Sequence, residues 1–275
     1  MRFVAVPQWQ GSPSSRAMRL VDGANAILGD LPAKVTSVIE VPPGAGDGVG
    51  TSIHRLSAVS AVARALADEL SRSDDPALVV GGDCGIEFAA VRTVLRDDTA
   101  VVWFDAHPDV HSPETSESGA FSGMVLGALL GRADIELASI GIDPPRVQLS
   151  ADRVVLAGAR SFDEAEDSYV EATGMRSVGA FDLVPEEVVE AVAATGATSV
   201  YIHVDLDVLD PAAFAGLLDP QPFGLEPATL IATIQALRAR FDLVGAGICS
   251  FAPANDDAAA DDMSTILRVI GAIAR

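Results

Sequence analysis

The sequence predicts an α/β fold with a parallel sheet, and three observations carry that reading. Short β-rich runs alternate with segments of helical apolar spacing along the whole chain, which is the pattern of βαβ units. Two of those runs end in clusters of aspartate and histidine, and ligands of open α/β folds gather outside the carboxyl ends of the strands. At 275 residues, with 49% apolar content and no linker-like segment, the chain suits one domain over residues 1–275 with ample core.

The β-rich runs are residues 2–6, 35–41, 77–80, 100–104, 154–157, 200–204 and 243–249. The clearest helix covers 52–71, where Ile53, Leu56, Val59, Ala63, Leu66 and Leu70 keep a three-four spacing and Thr51 or Ser52 can cap the first turn. Further helices are expected near 121–130, 186–194, 227–240 and 262–275. Asp256, Asp257, Asp261 and Asp262 read as the acidic first turn of the last one, where the helix dipole favours them. The glycine-rich stretch PPGAGDGVG (42–50) lacks the Gly-Lys-Ser/Thr ending of a phosphate-binding loop and reads as a connection.

Composition narrows the function classes. The formal net charge is −21 and Lys34 is the sole lysine, a surface that repels nucleic acid and anionic lipid, so neither is an expected partner. No stretch approaches 18 uncharged apolar residues, and MRFVAVPQW at the N-terminus reads as a first strand rather than a signal peptide. Two cysteines, Cys84 and Cys249, make no disulfide framework, so a reducing cytoplasm is expected.

The chemistry lies in two stretches. In AVVWFDAHPDVH (100–111), five apolar residues are followed by Asp105, His107, Asp109 and His111, an acidic or imidazole group at every second position. A solvated loop has no use for that period. In SVYIHVDLDVLDP (199–211), His203, Asp205 and Asp207 repeat it, and if 199–207 is extended all three project from one face. Carboxylates pointing inward from a buried strand are costly unless a cation compensates them, so a metal is the economical explanation.

These motifs together resemble those of a known family. GGDCGIE (81–87), WFDAHPDVH (103–111), SGAFSGM (118–124) and HVDLDVLDP (203–211) are similar, in order and spacing, to the motif set of the ureohydrolases: arginase, agmatinase and formiminoglutamase. The resemblance implies a three-layer α/β/α fold with a mainly parallel sheet of about eight strands. It also implies a binuclear manganese centre at the strand ends and hydrolysis of guanidino or formimino C–N bonds in a small-molecule substrate. Trimers or hexamers are common in that family.

Carried over by position, Asp105 and Asp205 resemble the bridging carboxylates, and His107 and Asp207 the remaining ligands of one Mn²⁺. Asp109 resembles a ligand of the second ion, whose usual histidine is Cys84 here; if Cys84 ligates, Zn²⁺ or Fe²⁺ is favoured over Mn²⁺. Ser122 stands where the family has a proton-shuttling histidine, Ala120 where it has an asparagine, and Ser250 where a glutamate usually holds the guanidinium. His111 and His203 replace a common asparagine and serine.

One metal position is thus expected intact, and a standard arginase or agmatinase is not expected. Asp109, His111 and His203 are the candidate catalytic residues, the two histidines standing in for missing groups of an altered C–N hydrolase. A catalytically inactive binding or regulatory subunit is the alternative. So is a mononuclear amide deacylase, since Asp105, His107 and Asp207 also resemble the one-metal site of the histone deacetylase-like enzymes.

Overall fold

Near-continuous apolar runs become strands buried on both faces, as a parallel sheet requires. The computed structural model describes residues 1–139, 142 and 144–275. Eight strands form one sheet, and every pairing is parallel: β1 (Arg2–Ala5), β2 (Thr36–Val38), β3 (Ala77–Val80), β4 (Thr99–Phe104), β5 (Val154–Ala157), β6 (Arg176–Val178), β7 (Ser199–Asp205) and β8 (Asp242–Cys249). The spatial order is β2-β1-β3-β8-β7-β4-β5-β6.

Nine α-helices are found among the described residues: α1 (Arg19–Asp30), α2 (Leu56–Leu70), α3 (Glu87–Val94), α4 (Val125–Leu129), α5 (Asp134–Ser139), α6 (Glu164–Thr173), α7 (Pro185–Ala193), α8 (Pro227–Arg240) and α9 (Asp256–Ala274). On one face of the sheet Ile27, Val188, Ile234 and Ile266 from α1, α7, α8 and α9 pack on Leu78, Val102 and Ile202. On the other, Leu66, Val91 and Leu126 from α2, α3 and α4 pack on Val79, Val101 and Tyr201. The result is the three-layer α/β/α arrangement. No helix among the described residues is long and apolar enough to cross a membrane.

The differences from the sequence reading have local causes. Edge strand β6 has no fully buried residue and gives no apolar run to detect. Strand β2 keeps only residues 36–38 of 35–41. Helix α2 starts at Leu56, after Arg55 takes a left-handed φ of 58°. Neither Thr51 nor Ser52 caps it: the Thr51 hydroxyl donates to the Gly48 carbonyl and the Ser52 hydroxyl to that of Pro113. The expected helix at 121–130 is a 3₁₀ turn, Ser122–Met124, followed by α4. Helix α9 begins six residues earlier than expected, capped by Asn255, whose side chain accepts from Ala258 N. Asp256 and Asp257 do occupy its first turn, whereas Asp262 is buried deeper and accepts from Gly216 N at 2.7 Å.

Strands β3, β8, β7 and β4 are consecutive in the sheet, so their carboxyl ends lie side by side. The turn after β3 is tied to β8 by Gly81 N to Ile248 O (2.8 Å) and Ser250 N to Gly82 O (2.9 Å). Gly82 has φ 63°, and a Cβ there would lie 2.6 Å from the Gln8 carbonyl, so only glycine fits. The loops after β5 and β7 are clamped by Arg160, whose guanidinium donates to the carbonyls of Asp207 and Gln221 (both 2.8 Å), Pro222 (3.0 Å) and Gly158 (3.1 Å).

Replacing Arg160 by Met keeps the stem and removes the donors. We expect it to lower unfolding free energy by about 2–4 kcal/mol, read as a drop in denaturation midpoint. No loss would show that the carbonyls are equally well satisfied by water.

Candidate metal centre

Each acidic side chain of the centre is fixed by the backbone turn that carries it. Asp105 follows the last residue of β4; it accepts from Trp103 Nε1 at 3.2 Å and from His107 N at 2.6 Å. Asp205 ends β7 and accepts from Asp207 N at 2.8 Å. Asp207 in turn accepts from Ala106 N at 3.0 Å, which stitches the β7 end to the β4 loop. The spacing of two has a different origin from the one expected. Strand alternation turns His203 and Asp205 to one face, but Asp207 is brought round by a 3₁₀ turn over Leu206–Val208. Residues 105–111 lie beyond β4, with Asp109 at φ 53°.

His107 Nδ1 lies 3.1 Å from Asp207 Oδ2 and 3.5 Å from Asp105 Oδ1, and the three can share one ion. The other oxygen of Asp205 accepts from Cys84 Sγ (2.8 Å) and Ser250 Oγ (2.5 Å). Asp109 adds a buried oxygen, Oδ2, without a hydrogen-bond partner. These groups floor a cleft of about 480 Å³.

Of the three candidate catalytic residues, Asp109 and His111 line this cleft, and His203 does not. His111 stands with Nε2 3.1 Å from Asp163 Oδ2 and 3.8 Å from Glu166 Oε1, and with Nδ1 3.1 Å from Thr115 Oγ1. His203 is fully buried and stacked on Trp103, ring centroids 3.7 Å apart. Its Nε2 is 3.6 Å from Asp105 Oδ2.

Sequence reasoning does not single out Asp83, Glu87, Asp163, Glu166 or Asp219. A signal exists for one pair, because Asp163-x-x-Glu166 is a capping box at the start of α6. Asp83 accepts from Gly85 N, Gly11 N and Gln8 Nε2, so it holds the β3 turn; burial pushes it up to about 6. Asp219 is exposed, 3.9 Å from His107 Nε2.

The electrostatics fit a divalent cation. Burial first, then the negative charge of their neighbours, pushes Asp109, Asp205 and Asp207 above the usual carboxylate range. Burial would also raise Asp105, but the adjacent imidazoles of His107 and His203 hold it low. Burial opposes charge on His107, yet hydrogen bonds with Asp105 and Asp207 push it up to about 12. Carboxylates with one imidazole are a hard donor set, suited to Mn²⁺ or Mg²⁺.

Comparison with known proteins gives the family and the fold. The sequence model of the arginase family matches residues 11–273. The chain is 28% identical to the N(omega)-hydroxy-L-arginine amidinohydrolase of Streptomyces lavendulae, over 95% of this chain and 93% of that one. It is 31% identical to the arginase of Bacillus caldovelox over 72% of this chain and 67% of that one. The solved structure of the Bacillus caldovelox arginase superposes with a TM-score of 0.84 at 25% identity, covering 99% of this chain and 97% of that one. The formimidoylglutamase of Bacillus subtilis superposes at 0.75 and 18% identity, over 99% and 86% of the two chains, a likeness of fold.

Carboxyls raised this way, and a protonated His107, must give up protons for an ion to bind. Mn²⁺ affinity should therefore rise with pH through the neutral range and fall on acidification, about tenfold per pH unit for each proton displaced. Calorimetry in buffers of different ionisation enthalpy reads the proton count directly, and a pH-independent affinity would refute the assignment.

Proposed function

The chain belongs to the arginase family, and from that premise we propose that it hydrolyses a C–N bond in a small guanidino, amidino or formimino substrate. Mn²⁺ is the proposed cofactor, held by Asp105, His107, Asp205 and Asp207. The observation that carries this reading is the convergence of His107 Nδ1 with Asp105 and Asp207, within 3.5 Å, on the floor of an open cleft. A divalent cation held there supplies a nucleophilic water at neutral pH.

The chain's own residues define how far this centre departs from its relatives. A second ion would rest on Asp109 and Cys84 beside the shared Asp105 and Asp205. The Cys84 thiol lies against Cys249 and donates to Asp205. The contact with Cys249, burial and the charge of Asp205 together push it well above the usual thiol range. Such a thiol is a poor partner for Mn²⁺, so the second position is the weak one.

Ser250 donates to Asp205 as well and, as a serine, brings no carboxylate of its own to hold a guanidinium. Ser122 lines the cleft but cannot exchange a proton near neutrality. Proton exchange falls instead to His111 and Glu166, which stand together in the cleft wall, where burial lifts Glu166 to about 7. Cys84 and Cys249 are not joined to each other by a disulfide. A trimer or hexamer is the assembly to test by sedimentation.

Mn²⁺-loaded protein should release urea or ammonia from a member of this substrate class, and Asp207→Asn should abolish it. Arginine and agmatine should turn over far below the usual enzyme range of about 1–1000 per second. Absence of turnover across guanidino, hydroxyguanidino and formimino compounds would leave the fold with a binding role instead. Cys84→His should raise bound Mn²⁺ from one ion toward two per chain in elemental analysis. An unchanged count would show that something other than the lost imidazole weakens the second position.

A further inference from the structure

Beneath the cleft floor, on the face of the sheet covered by α2 and α3, lies a polar cluster that hydrolysis in the cleft leaves unused. Alternation along β7 turns Tyr201 and His203 to this face, Cys249 comes from the end of β8, and Glu87 from the start of α3. Glu87 and His203 are entirely buried, and Cys249 is 1% exposed. Strand β8 makes room with two glycines. A Cβ on Gly247 would lie 1.6 Å from Glu87 Oε1, and one on Gly245 would lie 3.1 Å from the Tyr201 ring.

Three donor atoms converge in that furrow. Glu87 Oε1 is 3.8 Å from His203 Nδ1 and 3.5 Å from Cys249 Sγ, and the three lie within 4.8 Å of one another. Neither ring nitrogen of His203 has a hydrogen-bond partner, although the ring is completely buried. A fully buried carboxylate beside an imidazole that makes no hydrogen bond is a costly arrangement in a core. Across a tetrahedral zinc, bonds of about 2.0–2.3 Å place neighbouring ligand atoms roughly 3.3–3.8 Å apart. The Glu87–Cys249 separation of 3.5 Å matches an oxygen–sulfur pair in that spacing, and Glu87 Oε1 to His203 Nδ1, at 3.8 Å, is too long for a direct hydrogen bond.

We propose that Glu87 Oε1, His203 Nδ1 and Cys249 Sγ bind a zinc ion below the cleft, at a site separate from the Asp105–His107–Asp207 centre. Tyr201 OH donates to Glu87 Oε2 at 2.5 Å, which leaves Oε1 turned toward the other two donors. His203 Nε2 faces Asp105 Oδ2 at 3.6 Å. Metal-bound histidines are usually fixed by such a carboxylate on the far ring nitrogen. A thiolate and a carboxylate balance the two charges of the ion, and the thiolate selects zinc over manganese.

The test uses the full chain, stripped with EDTA and reloaded with Zn²⁺ or Co²⁺. We expect one zinc per chain that resists a second EDTA treatment able to remove Mn²⁺, and a thiolate-to-cobalt charge-transfer band in the Co²⁺ form. Asp207→Asn should lose Mn²⁺ and keep the band, so this site and the cleft centre fail or stand separately. Cys249→Ser should abolish the band and weaken zinc retention by more than about 100-fold, the most that loss of an outer-shell partner usually costs. X-ray absorption of the zinc-loaded native chain covers the case of a variant that does not fold, and should show sulfur in the first shell. A shell of nitrogen and oxygen alone, no cobalt band, or a band lost in Cys84→Ser but kept in Cys249→Ser would overturn the proposal.

Discussion

Mutual repulsion among carboxylates at one edge of the sheet is the constraint on which the rest depends. Asp105, Asp109, Asp205 and Asp207 are all buried, and like charges at this depth cannot coexist without compensation. The fold meets the demand in layers. Backbone N–H groups of Ala106, His107 and Asp207 donate to three of them, the Cys84 thiol and Ser250 hydroxyl both turn to Asp205, and His107 supplies positive charge between Asp105 and Asp207. Sheet order makes the demand possible at all, because four neighbouring strands end where these residues begin.

Much of this was legible in the sequence, and the gaps have physical reasons. Strands β3 and β5 stand where the apolar runs at 77–80 and 154–157 begin and end, since strands buried on both faces leave an uninterrupted signature. Strand β6, α1, α3, α5 and α6 were not legible. Helix α1 carries Gly23 in its middle, a residue that local propensity counts against helix, yet a Cβ there would lie 2.0 Å from the Phe251 carbonyl. Helix α3 opens with a buried glutamate, which no hydrophobic period reveals.

The residue types of the centre were readable because their spacing is unusual, but the reason for the spacing was not. Only the structure distinguishes a strand that alternates, as at His203 and Asp205, from a 3₁₀ turn that happens to present Asp207 alongside. The same limit applies to the histidines. His111 and His203 look equivalent in the sequence, each a short step from a cluster of aspartates. In three dimensions one faces the cleft beside Glu166 and the other lies under its floor against Trp103. Burial, which the sequence does not record, separates their chemistry.

The stacked pair of Trp103 and His203 has an optical consequence. The chain has two tryptophans. Trp9 lies near the surface beneath the Arg55 guanidinium, 5.0 Å away, whereas Trp103 is wholly buried and donates its indole N–H to Asp105. Indole emission responds to the charge and hydrogen bond at that nitrogen, and an adjacent imidazole quenches it. Whatever changes the state of Asp105 or His203 is therefore written into the fluorescence of one residue, and the protein carries a built-in gauge of the carboxylate common to both layers of its polar interior.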